Sequence, residues 1–224
     1  MAAAASQSGI EERGQTASLD ASNRPHRELV DTIHAFAQRG WCDGTGGNFS
    51  VVLNLEPLRL LMAPSGIDKG SVRVDQLIEV DHNGTVVNGN GRASAETALH
   101  LMLINEAEAR SILHTHSVKA TVLSRHYAAS GGITLEGLEM LKGLRGITSH
   151  DTEISIPVVA NDQDIERLSI SSRQLIHKAP FSLLVEGHGL YTWGASLSEA
   201  KRHTEIVEFL LDVKWHQLLL NQRQ

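Results

Sequence analysis

The sequence predicts an α/β domain with a mixed, mostly antiparallel sheet flanked by helices. Three observations carry that expectation. Short apolar runs of strand length alternate with segments of helical periodicity. Asn83-Gly84 is a strong hairpin signal between two such runs. The runs on either side of Pro57 are close enough to pair as antiparallel neighbours, which a purely parallel sheet does not accommodate.

Along the chain, Pro25 suits a first helical turn, and Leu29, Ile33, Phe36 and Ala37 share one face before Gly40 stops the helix. A glycine-rich turn, Gly44-Thr45-Gly46-Gly47, then opens into a strand over 49–53, with a second strand over 58–62. The hairpin follows, with strands over 77–81 and 85–87. Ser94 is the expected N-cap of a helix that buries Leu99, Met102 and Leu103 and ends near Glu108. A strand begins at Ser111, and a helix is expected over 118–126. Gly131 and Gly132 mark a loop, and 135–143 shows little periodicity. The chain continues with a strand over 154–159, a helix over 164–178, a strand over 181–185 and a last helix over 198–220. That helix is expected to turn Ile206, Phe209, Leu210 and Val213 inward.

A chain of 224 residues, 41% hydrophobic and 21% charged, can bury one good-sized core, and 23–224 reads as one domain. Residues 1–22 hold only Ile10 and Leu19 as large apolar residues, too little to bury, and are expected to form a disordered tail. Glu11 and Glu12 interrupt what would be the apolar run of a signal peptide. A net charge of −6 with no run of Lys or Arg offers no footprint for nucleic acid or an anionic membrane. No stretch reaches the roughly 18 apolar residues of a membrane span. Cys42, the single cysteine, rules out an internal disulfide and a C-x-x-C motif, which points to a reducing compartment, with cytoplasm as the expectation.

The chemistry-bearing stretch is Ser111-Ile112-Leu113-His114-Thr115-His116. In a strand, side chains at i and i+2 share a face, so His114 and His116 present two imidazoles in parallel. Two histidines in parallel are either solvated or two ligands of one ion. A catalytic zinc takes three protein ligands and keeps an open position. His188, between Gly187 and Gly189 at the end of a strand, supplies a freely approached third imidazole. The loops Gly46-Gly47-Asn48 and Ser65-Gly66 either serve tight turns or let backbone N–H groups approach an anion such as phosphate. Glu96 and His100 lie at i, i+4, where they can simply pair on one helix face.

Those three features together, an H-x-H strand, a distant histidine between glycines and Ser94-x-Glu96 one helix upstream, resemble the class II aldolase and adducin family over nearly the whole length after residue 22. The resemblance implies a single domain with a central, mostly antiparallel sheet and helices on both faces. It implies one Zn2+ per subunit held by His114, His116 and His188, with Glu96 either a further ligand or an acid/base group. It also places a sugar phosphate against Gly46, Gly47, Asn48, Ser65, Gly66 and Ser94, with Lys142 a weaker candidate for the phosphate, and implies a homotetramer. Within the family, segments 137–143 and 187–194 are most similar to the branch that dehydrates methylthioribulose 1-phosphate in methionine salvage. That similarity gives Glu139 the acid/base role. The alternatives are a fuculose- or ribulose-phosphate aldolase or epimerase of the same family, and a non-catalytic scaffold like the adducin head.

Overall fold

The computed structural model of the protein describes residues 23–221. In chain order the elements are α1 (Arg24–Gln38), β1 (Asn48–Leu55), β2 (Leu58–Met62), β3 (Ile78–Val80), β4 (Val86–Asn88), α2 (Thr97–Glu106), β5 (Ser111–Thr115), α3 (Val118–Tyr127), β6 (Gly132–Glu136), β7 (Glu153–Val159), α4 (Ile165–Ile176), β8 (Ser182–Val185), β9 (Gly189–Gly194) and α5 (Leu197–Asn221). The nine strands form one sheet in the order β4-β3-β2-β1-β5-β9-β8-β7-β6. Every neighbouring pair is antiparallel except β7 and β8, which α4 connects in parallel. The predicted fold class is the observed one.

Helix periodicity explains the two covering layers. Leu29, Ile33 and Phe36 of α1 are fully buried, meeting Phe49, Leu61 and Leu113 on one sheet face, where α3 and α5 also pack. Burying each such side chain stabilises the fold by about 1.5–3 kcal/mol. The opposite face is covered by α2 and α4, through Leu99, Met102, Leu103, Leu168 and Ile176. Local signals set the helix starts: Ser117 Oγ accepts from Ala120 N, and the Asp164 carboxylate accepts from the N–H groups of Glu166 and Arg167. At the Asn83-Gly84 hairpin, Asp81 accepts from the N–H groups of Asn83 and Thr85, and Gly84 adopts φ 76°.

The structure differs from the sequence reading in four places. Ser94 does not cap α2; the helix starts at Thr97, with Glu96 in the cap position, and Ser94 Oγ accepts from Glu96 N in the preceding turn. β6 and β9 are strands the sequence did not announce. Glycine, at Gly132 and at Gly189 and Gly194, masks their strand propensity, and pairing with β7 and β8 overrides it. Phe209, expected inward, is 46% exposed, because it lies on the face opposite the stripe of Ala200, Thr204, Val207 and Leu211 that α5 buries. The expected tail at 1–22 lies outside the described residues. Among the described residues no helix is long and apolar enough to cross a membrane.

Candidate metal centre

The centre is assembled by sheet register. Asn48 on β1 pairs with His114 on β5, which pairs with Tyr191 on β9, so three side chains stand in one row across the middle of the sheet. His114 is fully buried and lies stacked on the Tyr191 ring at 3.9 Å between centroids. β5 ends at Thr115, and His116 N donates to Trp41 O at 2.7 Å, which holds His116 just beyond the strand on the same side as His114. His188 sits in the β8–β9 turn, where its N–H donates to Val185 O and Thr121 Oγ1 of α3 donates to its carbonyl.

The three Nε2 atoms converge. They are separated by 2.8 Å for His114 and His116, 3.1 Å for His116 and His188, and 3.3 Å for His114 and His188. Nitrogens about 2.0–2.1 Å from a tetrahedral ion lie about 3.3 Å apart, so the spacing suits a small divalent cation. His114 Nδ1–H donates to Leu190 O at 3.0 Å, which leaves its Nε2 lone pair facing the other two imidazoles. Three ring nitrogens facing one another at these distances can offer one cation three lone pairs at once. Burial pushes the His114 pKa well down, helped by the neighbouring His116 and His188; burial, then His188 and Lys69, push His116 down to about 4. Both rings are therefore neutral at pH 7, the form that ligates.

Glycines let the backbone come this close. A Cβ on Gly46 would sit 2.9 Å from His116 Nδ1, and one on Gly189 would collide with Thr115 O. The turn reading and the anion reading of the first loop thus omit a third reason for Gly46, the close packing of His116.

Glu96 stands on the rim of this cradle, Oε1 3.1 Å from His188 Nε2 and Oε2 3.7 Å from His114 Nε2. Behind it runs a buried chain of hydrogen bonds. Asn48 Nδ2 donates to Glu96 Oε2, Asn48 Oδ1 accepts from His100 Nε2, and Ser50 Oγ lies 2.6 Å from His100 Nδ1. Donation from Nε2 makes Nδ1 the acceptor, so Ser50 is the donor there. Complete burial pushes the His100 pKa down to about 3 and keeps the ring neutral. His100 therefore does not pair with Glu96 across one helix face but supports it through Asn48, a role the i, i+4 spacing could not announce.

Two clefts meet at Glu96 and His116. One, of about 220 Å³, is lined by Gly46, Gly47, Asn48, Ser65, Gly66 and Ser94, together with Lys69. The other, of about 400 Å³, is bounded by His188, Asn161, Ile165 and Leu168. The three histidines, Glu96 and the two loops are thus brought together. Glu139 and Lys142 are not: they lie on a short 3-10 turn (Glu139–Gly143), paired with each other on the surface, and line neither cleft. Lys69, which lines the first cleft, carried no signal in the sequence beyond its place four residues after Ser65.

A family model described as Class II Aldolase and Adducin N-terminal domain matches residues 27–215. The chain belongs to this family. Two curated relatives in it are named methylthioribulose-1-phosphate dehydratase. The one from Xanthomonas campestris pv. campestris (strain 8004) is 43% identical over 185 residues, spanning 82% of this chain and 84% of that protein. The one from Pectobacterium atrosepticum is 40% identical over 204 residues, spanning 90% and 98%. Among solved structures, an l-fuculose-1-phosphate aldolase from Thermus thermophilus superposes with a TM-score of 0.72 at 23% identity, covering 90% of this chain and 98% of that one, a likeness of fold. As a class II aldolase-family chain, the protein carries the three-histidine cluster where the sequence reading expected its metal.

Proposed function

We propose that the protein is a zinc-dependent lyase that removes water from 5-methylthioribulose 1-phosphate to give 5-methylthio-2,3-dioxopentyl phosphate, a step of methionine salvage. The observation that carries this reading is the identity of 43% and 40%, over most of both chains, to proteins named for that reaction. The converging histidines support a catalytic member of the family over a scaffold, since a scaffold has no need of three imidazoles facing one point.

His114, His116 and His188 would hold the ion, and imidazole ligands suit zinc. A divalent ion there would act as a Lewis acid towards the C2 carbonyl and stabilise negative charge that develops on loss of the C3 proton. A base takes that proton to give the C2–C3 enediolate, whose electron pair expels the C4 hydroxyl as water once that hydroxyl has received a proton; the C3–C4 enol so formed tautomerises to the dione. Glu96 is the carboxylate of the same chain at the site of this chemistry, held in place by Asn48. Glu139 remains the acid/base candidate by resemblance; since it lines neither cleft of its own chain, it would act on a neighbouring subunit's centre in the tetramer the resemblance implies. The clefts on either side of the histidines offer room for the phosphate at one end of the substrate and the methylthio group at the other.

The experiment is turnover of purified protein with methylthioribulose 1-phosphate. Loss of water supports the reading, and His116→Ala is expected to lose both metal and activity. Cleavage of a different ketose phosphate with no dehydration rejects it in favour of an aldolase.

A further inference from the structure

Lys69 is 1% exposed, and it is the one buried lysine or arginine among the described residues. Its Nζ donates to Thr45 O at 3.2 Å and Ile67 O at 3.1 Å. Those carbonyls belong to the two small-residue loops, so the ammonium sits between them. An ammonium has three N–H donors, and these bonds use two.

Its charge is not compensated. Among the described residues no carboxylate lies within ion-pairing distance of Nζ. Asp68 acts on it only from further away, its carboxylate being taken up by Gly70 N and Ser71 Oγ. The nearby Cys42 thiol is pushed up to about 11 by burial and stays neutral. A buried cation without an anion is costly to keep, and burial lowers its pKa. An anion entering the cleft would offset that cost.

Two of the groups that the sequence offered for phosphate are committed elsewhere. The Asn48 amide bonds Glu96 at one end and His100 at the other. Lys142 pairs with Glu139 on the surface. Lys69, by contrast, lines the cleft formed by Gly46, Gly47, Ser65 and Gly66, beside His116.

We propose that Lys69 is the cation of a phosphate subsite between these two loops, and that its ammonium, rather than Lys142 or the Asn48 amide, supplies the charge that holds the substrate's phosphate. The inference rests on the sugar-phosphate reading of the site and assigns the residue that recognises its anionic end. The alternative role is a structural one, in which Lys69 merely ties two loops through their carbonyls.

The test is a calorimetric titration of inorganic phosphate at pH 8 into the full chain stripped of metal, comparing wild type with Lys69→Met and Lys142→Met. The expected result is at least tenfold weaker binding in K69M, wild-type binding in K142M, and a K69M melting temperature equal to or above that of wild type, because an uncompensated buried charge has been removed. Phosphate binding in K69M as tight as in wild type overturns the proposal, as does a wild type that binds no phosphate. Should K69M fail to fold, the Lys69 Cε resonance of the wild type carries the test: it shifts on phosphate addition if the proposal holds, and stays still if it does not. Failure here is separable from failure of the proposed reaction. Dehydration with phosphate binding that ignores Lys69 rejects only the residue, and phosphate binding through Lys69 without dehydration rejects only the reaction.

Discussion

Glu96 and Glu139 are both carboxylates on short-range turns, but they occupy opposite surroundings. Glu96 precedes α2, is mostly buried, touches two of the three histidines, and is held from behind by Asn48, His100 and Ser50. Glu139 is exposed on a 3-10 turn, where Lys142 and then His150 hold its carboxyl below the usual range, and nothing packs around it. The difference teaches that a group set for chemistry within one chain is recognised by what orients it. Glu139 has Lys142 and His150 as partners in its own chain, but both lie on the surface and away from the two clefts.

The largest expected effect comes from breaking that contrast. Glu96→Gln is expected to lower kcat by on the order of 10²–10⁴, the usual contribution of an acid/base group, while the chain still binds zinc. Glu139→Gln is expected to do the same for a different reason, and subunit mixing separates the two. Mixed oligomers of Glu139→Gln and His116→Ala chains regain activity if Glu139 serves a neighbour's centre. Mixtures of Glu96→Gln and His116→Ala stay inactive, because both defects fall in one chain's cradle. Steady-state assays of refolded mixtures check both outcomes, and recovery in the second mixture would contradict the placement of Glu96.

A smaller effect concerns acid. His100 is buried and neutral with its pKa depressed to about 3, and His203 is likewise lowered by burial. The unfolded chain takes up protons at these rings below about pH 6.5 while the folded chain does not. Their contribution to stability is therefore complete above about pH 6.5 and is lost as the pH falls towards the folded values. Each fully buried ring contributes about 1.4 kcal/mol of loss per pH unit in that window. Urea unfolding of the metal-stripped protein between pH 7 and pH 5 is expected to show this slope summed with those of His114 and His116, and His100→Asn to reduce it by one ring's share. A slope equal in wild type and His100→Asn would place His100 in contact with water.

The Ser50-His100-Asn48 support can also be set beside the one on the other side of β5. There, Thr115 Oγ1 and Ser117 Oγ both donate to the buried Glu208 of α5, clamping the backbone on either side of His116. Burial raises the Glu208 pKa against those two hydrogen bonds, so its ionised form is disfavoured in the folded state and its effect on stability worsens as pH rises through the folded value. Glu208→Gln removes the charge and weakens the two bonds, and these changes offset to within about 1 kcal/mol. Thermal melts at pH 5 and pH 8 are expected to differ less in the variant than in wild type; an equal difference would place the titration elsewhere.

How much of this was legible in the sequence depends on whether a feature is local. The i, i+2 rule placed His114 and His116 correctly, because a five-residue strand obeys it whatever its neighbours are. The hairpin at Asn83-Gly84 and the buried face of α1 were equally legible. The position of His188 beside the pair follows from β9 lying next to β5, a long-range pairing that spacing cannot reveal and that only the resemblance supplied. The strands β6 and β9 were hidden by glycines whose function is close approach rather than turning. His100 and Lys69 were invisible for a related reason. Each depends on a distant partner, Thr45 for Lys69 and Ser50 and Asn48 for His100, and a lone histidine or lysine in sequence gives no hint of complete burial.

The proposed chemistry depends on His114, His116 and His188 acting as one cation site, and a zinc titration of the metal-stripped chain measures that directly. Wild type is expected to bind one ion per chain and His188→Ala to hold none tightly, with both proteins folded. Wild-type and His188→Ala chains that bind zinc alike, or a wild type that binds none, would contradict a three-histidine centre.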